Sequence, residues 1–87
     1  MPVSSLVISK IAQLVVRLAP RAFRGATIVE KVITRKIGQY AIEITRRSSL
    51  GRDGGISHIV KVFRGGKTEE IWHMVVRAGK IIHRHME

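Results

Sequence analysis

Between Leu6 and Ala19 apolar residues recur with helical spacing: Leu6, Val7, Ile8, Ile11, Leu14, Val15 and Leu18. Ser9, Lys10, Gln13 and Arg17 occupy the other side. That is one amphipathic helix, with Ser4 or Ser5 as its N-cap and Pro20 as its stop. Lys10 and Arg17 interrupt the apolar run, no small-residue cleavage site follows it, and it falls short of the ~20 residues of a membrane span. It therefore reads as a core-packing helix, with an interfacial membrane helix as the alternative.

Arg21 to Gly25 forms a basic connector. Thr27-Ile28-Val29-Glu30 then fits a capping box, and Ile28, Val29, Val32, Ile33 and Ile37 share a helical face up to Gly38. The expectation is a second helix, although its β-branched content also suits a strand. From Tyr40 the period changes to two. Tyr40, Ile42 and Ile44 alternate with Ala41, Glu43 and Thr45 in a first strand ending at Arg46-Arg47. Ser48 to Gly55 has loop composition. Ile56–Arg64, Glu69–Arg77 and Lys80–Met86 follow as strands, joined by tight turns at Gly65-Gly66 and Ala78-Gly79. The predicted fold class is α+β, with two N-terminal helices followed by a four-stranded antiparallel β meander.

Two-residue turns imply a register. Arg64 would pair with Lys67, Val60 with Ile71, His58 with His73, Val75 with Ile82, and His73 with Arg84. His58, His73 and Arg84 would then form one row across three strands. Ile59, Trp72 and His85 would line the other face, as would Ser57, Met74 and His83, and there Lys61 would oppose Glu70. A turn of three residues would exchange the faces.

At 87 residues the chain suits one domain, since domains typically run ~100–150 residues. A 45% hydrophobic content excludes a disordered basic tail. The absence of cysteine excludes disulfides, thiolate metal sites and cysteine nucleophiles. What changes the picture most is charge. Sixteen Lys and Arg against six Asp and Glu give +10, which points to a polyanionic partner. So small and so charged a domain would also be suited by a homodimer or a tight acidic partner.

Four histidines lie in the sheet region: His58, His73, His83 and His85. Imidazole can take and return a proton near neutrality, so these and Arg84 are the candidate catalytic residues. Cleavage of RNA by its own 2′-hydroxyl needs a base, an acid and cations for charge developing on phosphorus, and no metal. Half-buried, hydrogen-bonded sheet histidines are the plainer alternative. A zinc pair at His83 and His85 is a third, without familiar ligand spacing. Candidate nucleic-acid contacts are Arg46, Arg47, Arg52, Lys61, Arg64, Lys67, Arg77 and Lys80, with Trp72 and Tyr40 able to stack on bases, although core packing is the more frequent role for both. No phosphate loop, dinucleotide fingerprint or nucleophile elbow is present, so no cofactor is expected.

The stretch Gly66-Lys67-Thr68-Glu69-Glu70-Ile71-Trp72-His73, with Gly79-Lys80-Ile81-Ile82-His83-Arg84, resembles the C-terminal ends of bacterial polymorphic toxin modules. Helices followed by an antiparallel meander are similar to the ribonuclease-like fold of barnase, endonuclease-U and RelE-type toxins. The resemblance covers residues 56–86 in motif and the rest only in topology. It implies a small ribonuclease acting in the cytoplasm, its own or that of a cell it is delivered to, with RNA ahead of DNA as substrate and an acidic immunity or antitoxin protein as partner. It assigns no individual role, because no catalytic motif carries over. No delivery module is read within these 87 residues, as would be expected of an excised domain and of a free-standing protein alike. A non-catalytic nucleic-acid-binding or protein-interaction module is the alternative function.

Overall fold

The computed structural model describes residues 3–19, 31–50 and 55–87. The expected connector, the Thr27–Glu30 capping box and Arg52 lie outside the described residues. Helix α1 spans Ser5–Leu18, close to expectation. Ser4 is its N-cap, and the Ser4 side chain accepts from the Val7 amide at 3.3 Å. Ile8, Ile11, Ala12 and Val15 form its buried face, while Leu6 is exposed. Burying Ile11 or Val15 contributes about 1.5–3 kcal/mol apiece.

The described residues contain one helix, and the sheet has five strands instead of four. They are β1 (Lys31–Ile37), β2 (Tyr40–Leu50), β3 (Ile56–Arg64), β4 (Lys67–Arg77) and β5 (Lys80–Met86). All neighbours are antiparallel, in the order β1-β2-β3-β4-β5. The second helix is thus corrected: residues 31–37 are a strand hydrogen-bonded to β2. Gly38, read as a helix stop, is instead a hairpin turn residue at φ 58°. Alternation explains the outcome, because Ile33 and Ile37 on one side of β1 pack against the core. Ser48–Leu50, expected in a loop, extends β2, and Leu50 pairs with Ile56 across an irregularity after Arg47.

One sheet face carries the core. Ile42 and Ile44 of β2, Val60 and Val62 of β3, and Met74 and Val76 of β4 are buried there with α1. Packing α1 on that face removes one layer from water and leaves the other face of the sheet without a helix among the described residues. The helix C-terminus is held from the sheet: the Arg46 guanidinium donates to the Leu18 carbonyl, a group with no partner inside the helix. A cation there also suits the helix dipole. At the other end the Val3 amide donates to Glu70 Oε2 at 2.9 Å, and Trp72 Nε1 donates to Glu70 Oε1 at 2.8 Å. Among the described residues no helix is long and apolar enough to cross a membrane.

Two bulges alter the expected pairing. Arg64 does face Lys67, but Phe63 faces Thr68 and Val62 faces Glu70, so Glu69 is an extra residue in β4. Beyond it every pair moves by one: Val60 faces Trp72, His58 faces Met74, Ile59 faces His73, and Lys61 faces Ile71. Likewise Val76 faces Ile81 and Val75 faces His83, leaving Ile82 as the extra residue of β5. His73 then faces His85, and Arg84 faces Met74. The expected row of His58, His73 and Arg84 does not form, nor does the Lys61–Glu70 pair. A one-residue shift sends a side chain to the opposite face, and that is what happened here.

Candidate functional site

On the face away from α1, β3 alternates Ser57, Ile59, Lys61 and Phe63 while His58, Val60 and Val62 point into the core. The same parity on β4, beyond its bulge, brings Ile71, His73 and Val75 outward. On β5 it brings out His83 and His85. The adjacent rows are therefore Ile59–His73–His85 and Ser57–Val75–His83.

Within this cluster Ser57 Oγ and His73 Nε2 are hydrogen-bonded at 2.5 Å. The hydroxyl donates to a bare imidazole nitrogen and accepts from a protonated one, so the contact survives proton exchange. The His73 and His85 rings meet edge to face, with centroids 5.0 Å apart and planes at 81°. His83 is two residues from His85 on the same strand face, about 6.6 Å away along the strand. His83 and His85 are exposed and His73 is half-buried. Such an arrangement offers two adjacent imidazoles to one solvent-facing substrate, one held in place by a serine. Lys61 stands two positions from Ile59 on the same face, opposite Glu43 across β2–β3. Among the described residues no three His, Cys, Asp or Glu side chains are grouped to hold a metal ion.

His58 has the opposite surroundings. It is 0% exposed on the core face, between Arg46 and Met74 in the register, and neither ring nitrogen has a hydrogen-bond partner. Burial lowers its pKa from 6.5 to about 4. The nearby Arg46 charge adds to that shift; the Met74 and Ile56 backbones oppose it from outside hydrogen-bond geometry. The Arg46 guanidinium, also depressed by burial, has its Nε buried without a partner. At neutral pH His58 is an uncharged core residue, closed off from solvent.

The remaining candidates scatter. Arg84 is exposed but pairs with Met74, on the α1 side of the edge strand. Arg64 and Lys67 flank the first β3–β4 turn residues, and Arg64 Nε lies 3.1 Å from Glu69 Oε1 in an ion pair. Arg77 and Lys80 are exposed around the β4–β5 turn, and Arg47 pairs with Ser57 in the backbone register. Trp72 and Tyr40 take the more frequent of the two roles open to them and pack against the core, leaving neither free to stack on a base. Two residues of the open face carry no role in the sequence reading. Ser57 shares a row with His83 there but has no motif context that marks it as a partner of His73. Phe63 shares the odd-numbered parity of Ile59 and Lys61, and that alternation is the signal that places it on their face.

An apolar groove lined by Ala12, Gln13, Val16, Arg17 and Ile81 runs between α1 and β5, remote in character from the histidine cluster. No family model, curated protein or solved structure matches this chain.

Proposed function

We propose that the protein is a metal-independent ribonuclease of the small toxin type, and that its cleavage site is the open sheet face at His73 and His85. The reading is carried by one observation: two imidazoles in edge contact, one hydrogen-bonded to Ser57, on a face that no helix among the described residues covers. This pair replaces the expected partnership of His58 with His73. In the reaction, one imidazole in its neutral form takes the proton of the RNA 2′-hydroxyl. The oxygen attacks phosphorus, and the bond to the 5′-oxygen breaks as the other imidazole, protonated, supplies that oxygen with a proton. The products are a 2′,3′-cyclic phosphate and a 5′-hydroxyl. Lys61 and His83 stand on the same face for charge developing on the phosphate. The chain's +10 net charge would draw RNA to the protein from solution and would equally suit an acidic inhibitory protein. The site of action on this reading is a cytoplasm.

The test is incubation of the protein with RNA in EDTA, followed by analysis of the new ends. Cleavage leaving cyclic phosphate and 5′-hydroxyl ends is expected. A folded preparation that leaves RNA intact would overturn the proposal.

A further inference from the structure

Phe63 is a half-buried aromatic that does not belong to the core. Tyr40 and Trp72 pack against the buried cluster, whereas Phe63 lies on the other face, between Ala41 and Thr68 in the register. Along β3 the open face then reads Phe63, Lys61, Ile59, in steps of about 6.6 Å. Ile59 is next to His73, which is next to His85. An aromatic face and a cation along β3, and an imidazole pair across β4 and β5 from Ile59, thus form one continuous path that turns at Ile59.

We infer that this path is a lane for single-stranded RNA, with a base stacked on Phe63, a phosphate at Lys61 and the strand turning at Ile59 to reach His73 and His85. It rests on the reading that the open face meets RNA. The physical reason for single strands is that a side chain on a flat sheet can stack only on a base whose face is free, and a duplex covers those faces. Stacking of this kind tolerates any base, which suits a lane without a hydrogen-bonding code. The chain's +10 charge argues against a second copy of itself as the occupant and for a polyanion.

The experiment uses a fluorescent 2′-O-methyl RNA decamer, which binds but cannot be cleaved by 2′-hydroxyl attack, and a blunt RNA duplex of the same sequence. Phe63→Leu should weaken decamer binding on the order of tenfold and leave duplex binding within about twofold. Phe63→Tyr should restore the decamer affinity. Lys61→Gln should reduce the slope of log affinity against log salt by about one. Equal decamer binding by wild type and Phe63→Leu would overturn the lane. So would parallel losses for decamer and duplex, or sedimentation showing a wild-type dimer that Phe63→Leu dissociates. If natural RNA is not cleaved while decamer binding still depends on Phe63, the ribonuclease reading falls and the lane stands as a binding site.

Discussion

The two faces of the sheet use the same residue type in opposite ways. On the α1 side, His58 is sealed between Arg46 and Met74, and burial beside Arg46 brings its pKa down to about 4. On the other side His73 and His85 face each other at 5.0 Å with Ser57 at hand. The proton chemistry of imidazole is intrinsic to the residue, but access and neighbours decide whether it can be used. A count of histidines cannot separate the two cases. The face each occupies does so.

The most direct way to break this contrast is through cleavage itself. His73→Ala and His85→Ala should each lower the rate of RNA cleavage by roughly 10²–10⁴-fold, the usual contribution of a positioned acid or base. His58→Leu should leave it within a few-fold. Wild-type kcat/KM against pH should be bell-shaped, and loss of either open-face imidazole should remove one limb. A cleaving enzyme that depends on His58 and tolerates loss of His73 would reverse the assignment of the faces.

Acid titration of stability sharpens the other half. The folded pKa of His58 lies below that of the unfolded chain, so between about pH 6.5 and about pH 4 the unfolded state binds more protons. Stability associated with His58 is present above pH 6.5 and is lost as the pH falls to about 4, a change on the order of 3 kcal/mol. Chemical denaturation of wild type against His58→Leu over this range checks it. The variant should lose that part of the acid sensitivity. It should be no less stable at pH 7, because the imidazole it replaces has two buried nitrogens without partners. Equal acid slopes in the two proteins would contradict the buried placement.

How much of this was legible beforehand follows from what each feature depends on. The helix over Ser5–Leu18 and both Gly- or Ala-Gly hairpins rest on local spacing and turn chemistry, and they were read correctly. Residues 31–37 were misread because a glycine at positive φ ends a helix and turns a hairpin equally well, and Gly38 does the second. Only pairing with β2 decides, and pairing is not local. The site failed for a narrower reason. Glu69 and Ile82 carry no composition that marks them as bulges, yet each moves the rest of its strand by one position. Two unmarked insertions were enough to replace His58 with His85 beside His73.

Gly55 probes how the open face is closed at its β3 end. A Cβ at this position would lie 2.4 Å from Val75 Cγ1 and 3.0 Å from Ile82 Cδ1. Val75 is buried and β-branched, so it has little freedom to withdraw. Gly55→Ala should cost about 1–3 kcal/mol by overpacking, read as a lower denaturant midpoint. Because Val75 sits between Ser57 and His83, the same variant should also disturb cleavage more than its stability loss accounts for at temperatures where it remains folded. An unchanged midpoint would mean that Val75 is looser than its burial indicates.

The smallest effect belongs to the turn that sets the β4–β5 register. Ala78 has φ 50°, the only non-glycine among the described residues in the left-handed region, and it is followed by Gly79 at φ 78°. Both central positions of this two-residue hairpin require positive φ, which alanine adopts at a cost and asparagine adopts more readily. Ala78 is exposed, and its side chain is not part of the core, so little else changes on substitution. Ala78→Asn should stabilise the protein by about 0.5–1 kcal/mol, seen as a raised midpoint at constant slope. Cleavage should be unaffected, since the turn keeps its length and His85 therefore stays opposite His73. Inserting one glycine after Ala78 gives the complementary result: the register slips, His85 leaves His73, and cleavage should fall even where the midpoint does not.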